Sequence, residues 1–438
     1  MRIAAVTALT MAAALMSVAR AQIRLPIAVP SVPLPSVTQT LGTTSTRALD
    51  ALADVRHQTV ARLLRDDRRV LEADPDGNPI VRGEILALGM SDSALAAARA
   101  HGYEIDRESV AVGMRVVALK TPAGLATRKA LRDLRDADAS GLYDFNHIYL
   151  SVGEAVLAGA DEAAMPAAGP GAQRIRVGLL DSGVDATHPA FRDSSIHPWG
   201  CAGHGVPAEH GTEVASLLAQ RTAADIFAAD VYCGSPTGGS VDALAAGLGW
   251  LSDNQVAVIN VSLVGPRNAL LERVIGALIA RGYLIVAAVG NDGPAAPPLY
   301  PAAYPDVVGV TGVDAHRRVL IEAGRGPQVM FAARGADISA AGLDHRTVPV
   351  RGTSFAAPAV AALLASSLPT PDRAAATAAV DALASLAIHL GSSGRDLTYG
   401  FGLVGVAQCN QDVIHVAELR IGIGNGLVAR NGCWPVLA

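Results

Sequence analysis

The chain is 438 residues long, half of them apolar and 17% charged. At roughly 150 residues per domain that leaves room for one large domain with a smaller companion, and it excludes a short disulfide-stapled scaffold. With 35 basic against 40 acidic residues the formal net charge is -5, so no basic field exists for gripping phosphates and nucleic acid is not an expected partner.

Mean hydropathy is positive, yet only the first apolar run, Ile3 to Ala19, approaches spanning length. It follows Met1-Arg2 and ends at the small-residue site Ala19-Arg20-Ala21, so residues 1–21 read as a cleaved signal peptide and the product as secreted or periplasmic. An oxidising destination suits four cysteines, Cys201, Cys233, Cys409 and Cys433. Of three possible connectivities the sequential pairs Cys201 with Cys233 and Cys409 with Cys433 are expected. None forms a CxxC pair and no acidic run has calcium-loop spacing, so neither a metal nor a cofactor is expected.

Residues 22–75 combine a Pro/Val/Ser-rich stretch, Leu25 to Thr40, with an arginine-rich amphipathic helix from Thr46 to Glu72. Over residues 76–152 the pattern becomes regular. Strands are expected at Ile80 to Leu88, Tyr103 to Ser109, Gly113 to Leu119 and Tyr143 to Leu150, with helices at Asp92 to His101 and Ala123 to Asp136. That order is βαββαβ, a small α+β domain. An Ala/Gly/Pro-rich stretch within 153–173 then breaks periodicity and reads as an exposed linker.

From residue 174 to 438 short Val/Ile-rich strands alternate with helices, which predicts an α/β fold with a doubly wound parallel sheet. Strands are expected at Ile175 to Leu180, Ile226 to Tyr232, Val256 to Val261, Leu284 to Val289 and Val307 to Val313. Helices fall at His210 to Gln220, Ser240 to Asp253, Ala269 to Arg281, Thr353 to Ser367 and Arg373 to His389. Sites in such sheets lie beyond the C-terminal strand ends, so the polar residues there carry the interest.

Three of them stand out. Asp181 leaves the first strand into a glycine turn, His210 opens a helix, and Ser354 sits between Gly352-Thr353 and the small residues that start another helix. Singly, each has a bland reading as a turn aspartate, a surface histidine or a capping serine. In this order they make an Asp-His-Ser set. A histidine is the side chain that takes and returns a proton near neutral pH, a serine hydroxyl needs such a base, and a buried carboxylate orients the imidazole. His204 precedes a glycine too but lacks the helix start that follows His210, and Asp185 suits a turn better than an orienting role.

The stretches Asp181-Ser182-Gly183-Val184-Asp185, His210-Gly211-Thr212-Glu213-Val214-Ala215 and Gly352-Thr353-Ser354-Phe355-Ala356-Ala357-Pro358 resemble the three signatures of the subtilisin-like serine proteases, the subtilases. Asn260 to Pro266 is similar to that family's substrate-pocket strand, Ala287 to Asn291 to its oxyanion segment, Tyr300 to Pro305 to its pocket wall and Tyr399 to Val404 to the segment closing the domain. The likeness spans about residues 174 to 407. It implies a serine endopeptidase acting on proteins or peptides through Asp181, His210 and Ser354, with the Asn291 amide and the Ser354 backbone N–H as oxyanion donors. It further implies substrate binding along Ser262, Leu263, Val264 and Gly265, with Val289 and Gly290.

Four positions depart from the family pattern. Glu213 and Ser216 stand where histidine and glycine are usual, outside the triad. Val264 replaces a glycine and Val289 an alanine, which implies a narrow channel and a preference for small or unbranched side chains. The βαββαβ module resembles a subtilase propeptide, which implies an inhibitory precursor that cuts itself within Gly153 to Arg174, and a monomer. Two rival classes are distinguishable: a silent subtilase fold used for binding would lack a triad member or the oxyanion asparagine, and an α/β-hydrolase would carry G-x-S-x-G with the serine first.

Overall fold

A computed structural model describes residues 56–151, 154–155, 174–220 and 222–406, all within the compact unit Thr46–Ala438. The expected signal peptide, the Leu25 to Thr40 stretch, most of the expected 153–173 linker and the expected Cys409–Cys433 pair lie outside the described residues. Among the described residues no helix is long and apolar enough to cross a membrane.

The chain is helical over residues 56–66 (α1) and then enters a strand, Leu71–Ala73 (β1), where the amphipathic pattern predicts continued helix. Pairing decides the difference: Leu71 lies opposite Val81 on β2 (Pro79–Leu88), and that edge ladder outweighs local helix propensity. The module continues as α2 (Asp92–Ala100), β3 (Glu104–Ala111), β4 (Met114–Lys120), α3 (Thr127–Ala137) and β5 (Leu142–Ser151), the expected βαββαβ order. Its inner strands are buried on both faces. Ile85 and Ala87 on β2, with Val117 and Leu119 on β4, face a core under α2 and α3. The alternate residues Leu86, Leu88, Val116 and Ala118 face the larger domain, as a two-residue side-chain period dictates.

The larger domain is built on seven parallel strands: β7 (Ile175–Asp181), β8 (Ser195–Trp199), β9 (Ala224–Asp230), β11 (Val258–Val261), β13 (Leu284–Ala288), β14 (Val308–Val313) and β15 (Val329–Arg334). Their spatial order is β15-β14-β13-β11-β7-β9-β8, so the winding reverses at β7. Helices α4 (Glu209–Leu218), α7 (Ala357–Ser367) and α8 (Arg373–Leu386) cover one face, and α5 (Val241–Asp253) and α6 (Ala269–Ala280) cover the other. This is the doubly wound α/β sheet expected, and the reversal puts its crevice at the end of β7.

Short antiparallel pieces complete the frame: β6 (Glu154–Ala155), β10 (Gly239–Ser240), β12 (Leu263–Val264), β16 (Ile338–Ala341) and β17 (Thr347–Arg351). β5 pairs with β10 and with β12. β6, at the start of the stretch read as an exposed linker, pairs with β17 through Glu154 and Ala155. Cys201 and Cys233 are bridged, Cα to Cα 5.1 Å, which ties the loop before α4 to the loop between β9 and β10.

Candidate active site

The site assembles where β7, α4 and the turn before α7 converge. Asp181 is the last residue of β7 and fully buried. Its Oδ1 accepts from Ser182 N–H at 2.7 Å, from Ser182 Oγ at 3.2 Å and from His210 Nδ1 at 2.8 Å. Because that carboxylate oxygen can only accept, the proton on His210 sits at Nδ1 and leaves Nε2 as the basic nitrogen.

His210 lies in the first turn of α4, which packs close against the turn after β7. A Cβ at Gly211 would collide with the Ser182 carbonyl, so the glycine after the histidine is a condition of that approach. Thr212 secures the same junction, accepting from Asp185 N–H at 2.9 Å and donating to Ala208 O at 2.8 Å. Asp185 turns outward and accepts from Thr187 N–H and Oγ1 at 3.0 and 2.6 Å. His204 is exposed on the bridged loop.

Ser354 is buried in a short helical turn that precedes α7. Gly352 holds φ of 143°, a left-handed value that a side chain would strain, and Ala356 and Ala357 let α7 start directly beneath the serine. Ser354 and Ser262 exchange two bonds: Ser354 Oγ donates to Ser262 O at 3.1 Å, and Ser262 Oγ donates to Ser354 O at 2.9 Å. The His210 and Phe355 rings lie 5.6 Å apart, so the imidazole borders the residue after the serine.

Asn291 follows β13. Its Oδ1 accepts from Thr353 N–H at 3.1 Å and from Thr353 Oγ1 at 3.0 Å, while Thr353 Oγ1 accepts from Gly290 N–H at 3.2 Å. Two donors on the oxygen fix the amide's orientation and make Nδ2 the end available to an incoming acceptor.

The expected substrate strand is occupied by the chain itself. Leu263 pairs with Ser151 and Val264 with Leu150, antiparallel, while Gly239 and Ser240 on β10 pair with Tyr149 and Ile148. Tyr149 is fully buried and its hydroxyl donates to Pro266 O at 2.6 Å. A Cβ on Gly265 would come within 2.7 Å of its ring, so this glycine admits a large side chain. Val289 belongs to the core beneath the site, and Gly290, with φ of 99°, packs its bare Cα against Leu299.

Two features escaped sequence reasoning. Arg56 on α1 pairs with Asp292 at 3.2 Å, immediately beyond Asn291; burial holds that carboxyl above its usual range although Arg56 opposes the shift. No motif signals a contact between segments so distant in sequence. Glu213, noted only as a departure from a pattern, is buried, and its Oε1 has no hydrogen-bond partner among the described residues. Burial pushes its carboxyl up to about 7.

The profile of the peptidase S8 subtilase family matches residues 172–402. Subtilisin E of Bacillus subtilis is 27% identical over 317 residues, covering 66% of this chain and 80% of its own. Subtilisin DY of Bacillus licheniformis is 29% identical over 260 residues, 54% of this chain and 91% of its own. Among solved structures fervidolysin from Fervidobacterium pennivorans, a keratinolytic enzyme related to subtilisin, superposes with a TM-score of 0.63 at 20% identity, covering 76% of this chain and 61% of that one. The fold, the three signatures in order and the family match over more than half of its length agree: the chain belongs to the subtilase family of serine endopeptidases.

Proposed function

We propose that the chain is the exported, self-inhibited precursor of an endopeptidase whose triad is Asp181, His210 and Ser354. Protein or peptide substrates follow from the family; the precursor state rests on one observation above all. β5 lies along β10 and β12, and two residues later β6 pairs with β17, whose last residue stands three positions before Ser354. β5 and β6 thus pair with β12 and β17, the two strands that adjoin Ser354, as the two halves of an extended substrate would. On this reading the cut falls between Ser151 and Glu154, at the near edge of the 153–173 stretch, and residues 76–152 act as the propeptide. Export is supported by the apolar N-terminal run, and the mature enzyme is read as a monomer.

The chemistry follows from the groups in place. Ser354 Oγ attacks the scissile carbonyl as His210 Nε2 takes its proton, and Asp181 steadies the imidazolium. Asn291 Nδ2 and the Ser354 N–H stabilise the oxyanion. His210 then protonates the leaving amine, and water, activated by the same histidine, releases the acyl group from Ser354. In the present conformation Ser354 Oγ donates to Ser262 O, so the productive state needs that hydroxyl to turn toward His210.

A fluorophosphonate probe tests this reading. After maturation it should leave one adduct, on the peptide that contains Ser354, and labelling of the intact precursor should be slow because Ser354 is covered. An adduct elsewhere removes the assigned nucleophile, and equal rates for both forms remove the masking.

A further inference from the structure

Glu213 lies three residues after His210 on α4, a spacing that brings side chains onto one helical face. Only 3% of it is exposed, and its Oε1 has no hydrogen-bond partner among the described residues. A carboxyl in that setting is costly to ionise and is usually neutralised or paired. The ionisable groups that act on it are His210 and Glu209 on its own helix and Asp181 on β7. Glu209 is engaged by Arg346 at 2.9 Å and by Leu343 N–H at 3.0 Å. Other charges on the strands beneath α4 are held elsewhere: Arg176 donates to Asn254 O, Asp225 accepts from Arg174, and Asp230 accepts from Val206, Tyr232 and Cys233 N–H. α7 and β16, which also pack on α4, carry no titratable side chain.

We propose that Glu213 is a second carboxyl behind the triad, a positioning residue whose ionised form stabilises the His210 imidazolium and so makes turnover depend on a proton outside the triad. This rests on the triad reading above. Asp181 holds one side of the imidazole through Nδ1, and Glu213 adds its charge through space. With its carboxyl pushed up to about 7 by burial, Glu213 changes charge in the pH range where a catalytic histidine works.

A carboxyl raised from 4.5 to about 7 in the fold contributes stability that is fully present below 4.5 and lost as pH rises through about 7. Glu213→Gln should therefore match the wild type in Tm near pH 4 and exceed it at pH 9.

The experiment is the pH profile of kcat/KM for the enzyme matured from the full chain, wild type beside Glu213→Gln, with a peptide anilide. The wild-type acid limb should resolve two ionisations and the variant limb one, at a midpoint about 1 pH unit lower. At pH 9 the variant should be slower by about tenfold in kcat with KM unchanged, and at pH 5.5 the two should converge. A constant ratio at every pH would mean a merely structural role, and identical profiles would mean none. The wild-type limb is decisive without any variant, since a single ionisation overturns the proposal. A Ser354→Ala control separates the failures, because activity surviving there removes the triad reading itself.

Discussion

Asp181→Asn should lower kcat by about 10⁴-fold with little change in KM, the cost known for losing the acid of such a triad. Asp181 Oδ1 gathers three donors, including His210 Nδ1, and no solvent reaches it. An asparagine can keep its oxygen in that position, so the imidazole can stay where it is. The substitution instead removes the charge that stabilises the imidazolium at the moment the Ser354 proton moves, and it places an amide N–H₂ where a buried carboxylate oxygen was. The measurement is single-turnover acylation by a peptide anilide. A loss below tenfold would mean that another carboxylate orients His210, and Asp185, bound to Thr187 in its own turn, would then have to leave that turn to do so.

Asn291→Ala should reduce kcat by about 10²- to 10³-fold at nearly constant KM, the scale known for this kind of donor in a subtilisin. Thr353 holds the amide by its oxygen, so Nδ2 faces outward without reorganisation, and the benefit comes when the carbonyl oxygen becomes an anion. Losing the side chain also leaves Thr353 N–H without that acceptor, which makes a Thr353→Ala comparison useful: a drop of similar size there would assign the effect to the orientation of the turn and not to the donor. A rise in KM with kcat preserved would contradict the assignment.

The parts of this protein that announce themselves in sequence are those whose local pattern matches their final setting. β7, β9, β11, β13 and β14 are buried on both faces and read as short apolar runs; the signature glycines read as glycines because Gly211 and Gly352 meet backbone that tolerates no side chain, or a φ that disfavours one. β10, β12 and β6 are two residues each and exist only through their partners, so no periodicity marks them. The helix expected to reach Glu72 stops earlier because Leu71 finds β2, a contact invisible to a helical period. At the site, the Asp, His and Ser types and their order were legible. The burial of Glu213 was not, since it depends on α4 packing against α7 and β16, and the reach of Arg56 to Asp292 depends on where an N-terminal helix docks.

The narrow channel expected from Val264 and Val289 takes a different form in three dimensions. Val289 turns into the core, while Gly265 opens a place that Tyr149 fills. A large aromatic side chain is thus held two residues before Ser151, and Val264, buried in the same core as Val289, meets the chain only through its pairing with Leu150.

On the precursor reading, one chain carries both the protease and the segment that its nucleophile cuts. A time course on the purified precursor, wild type beside Ser354→Ala, followed by intact mass and by casein hydrolysis, tests it directly. The wild type should split between Ser151 and Glu154 and then digest casein, while Ser354→Ala, equally folded, should stay full length and silent. Cleavage of the Ser354→Ala chain at the same place and rate, or a folded wild type that neither splits nor digests, would contradict it and leave a subtilase fold used for binding.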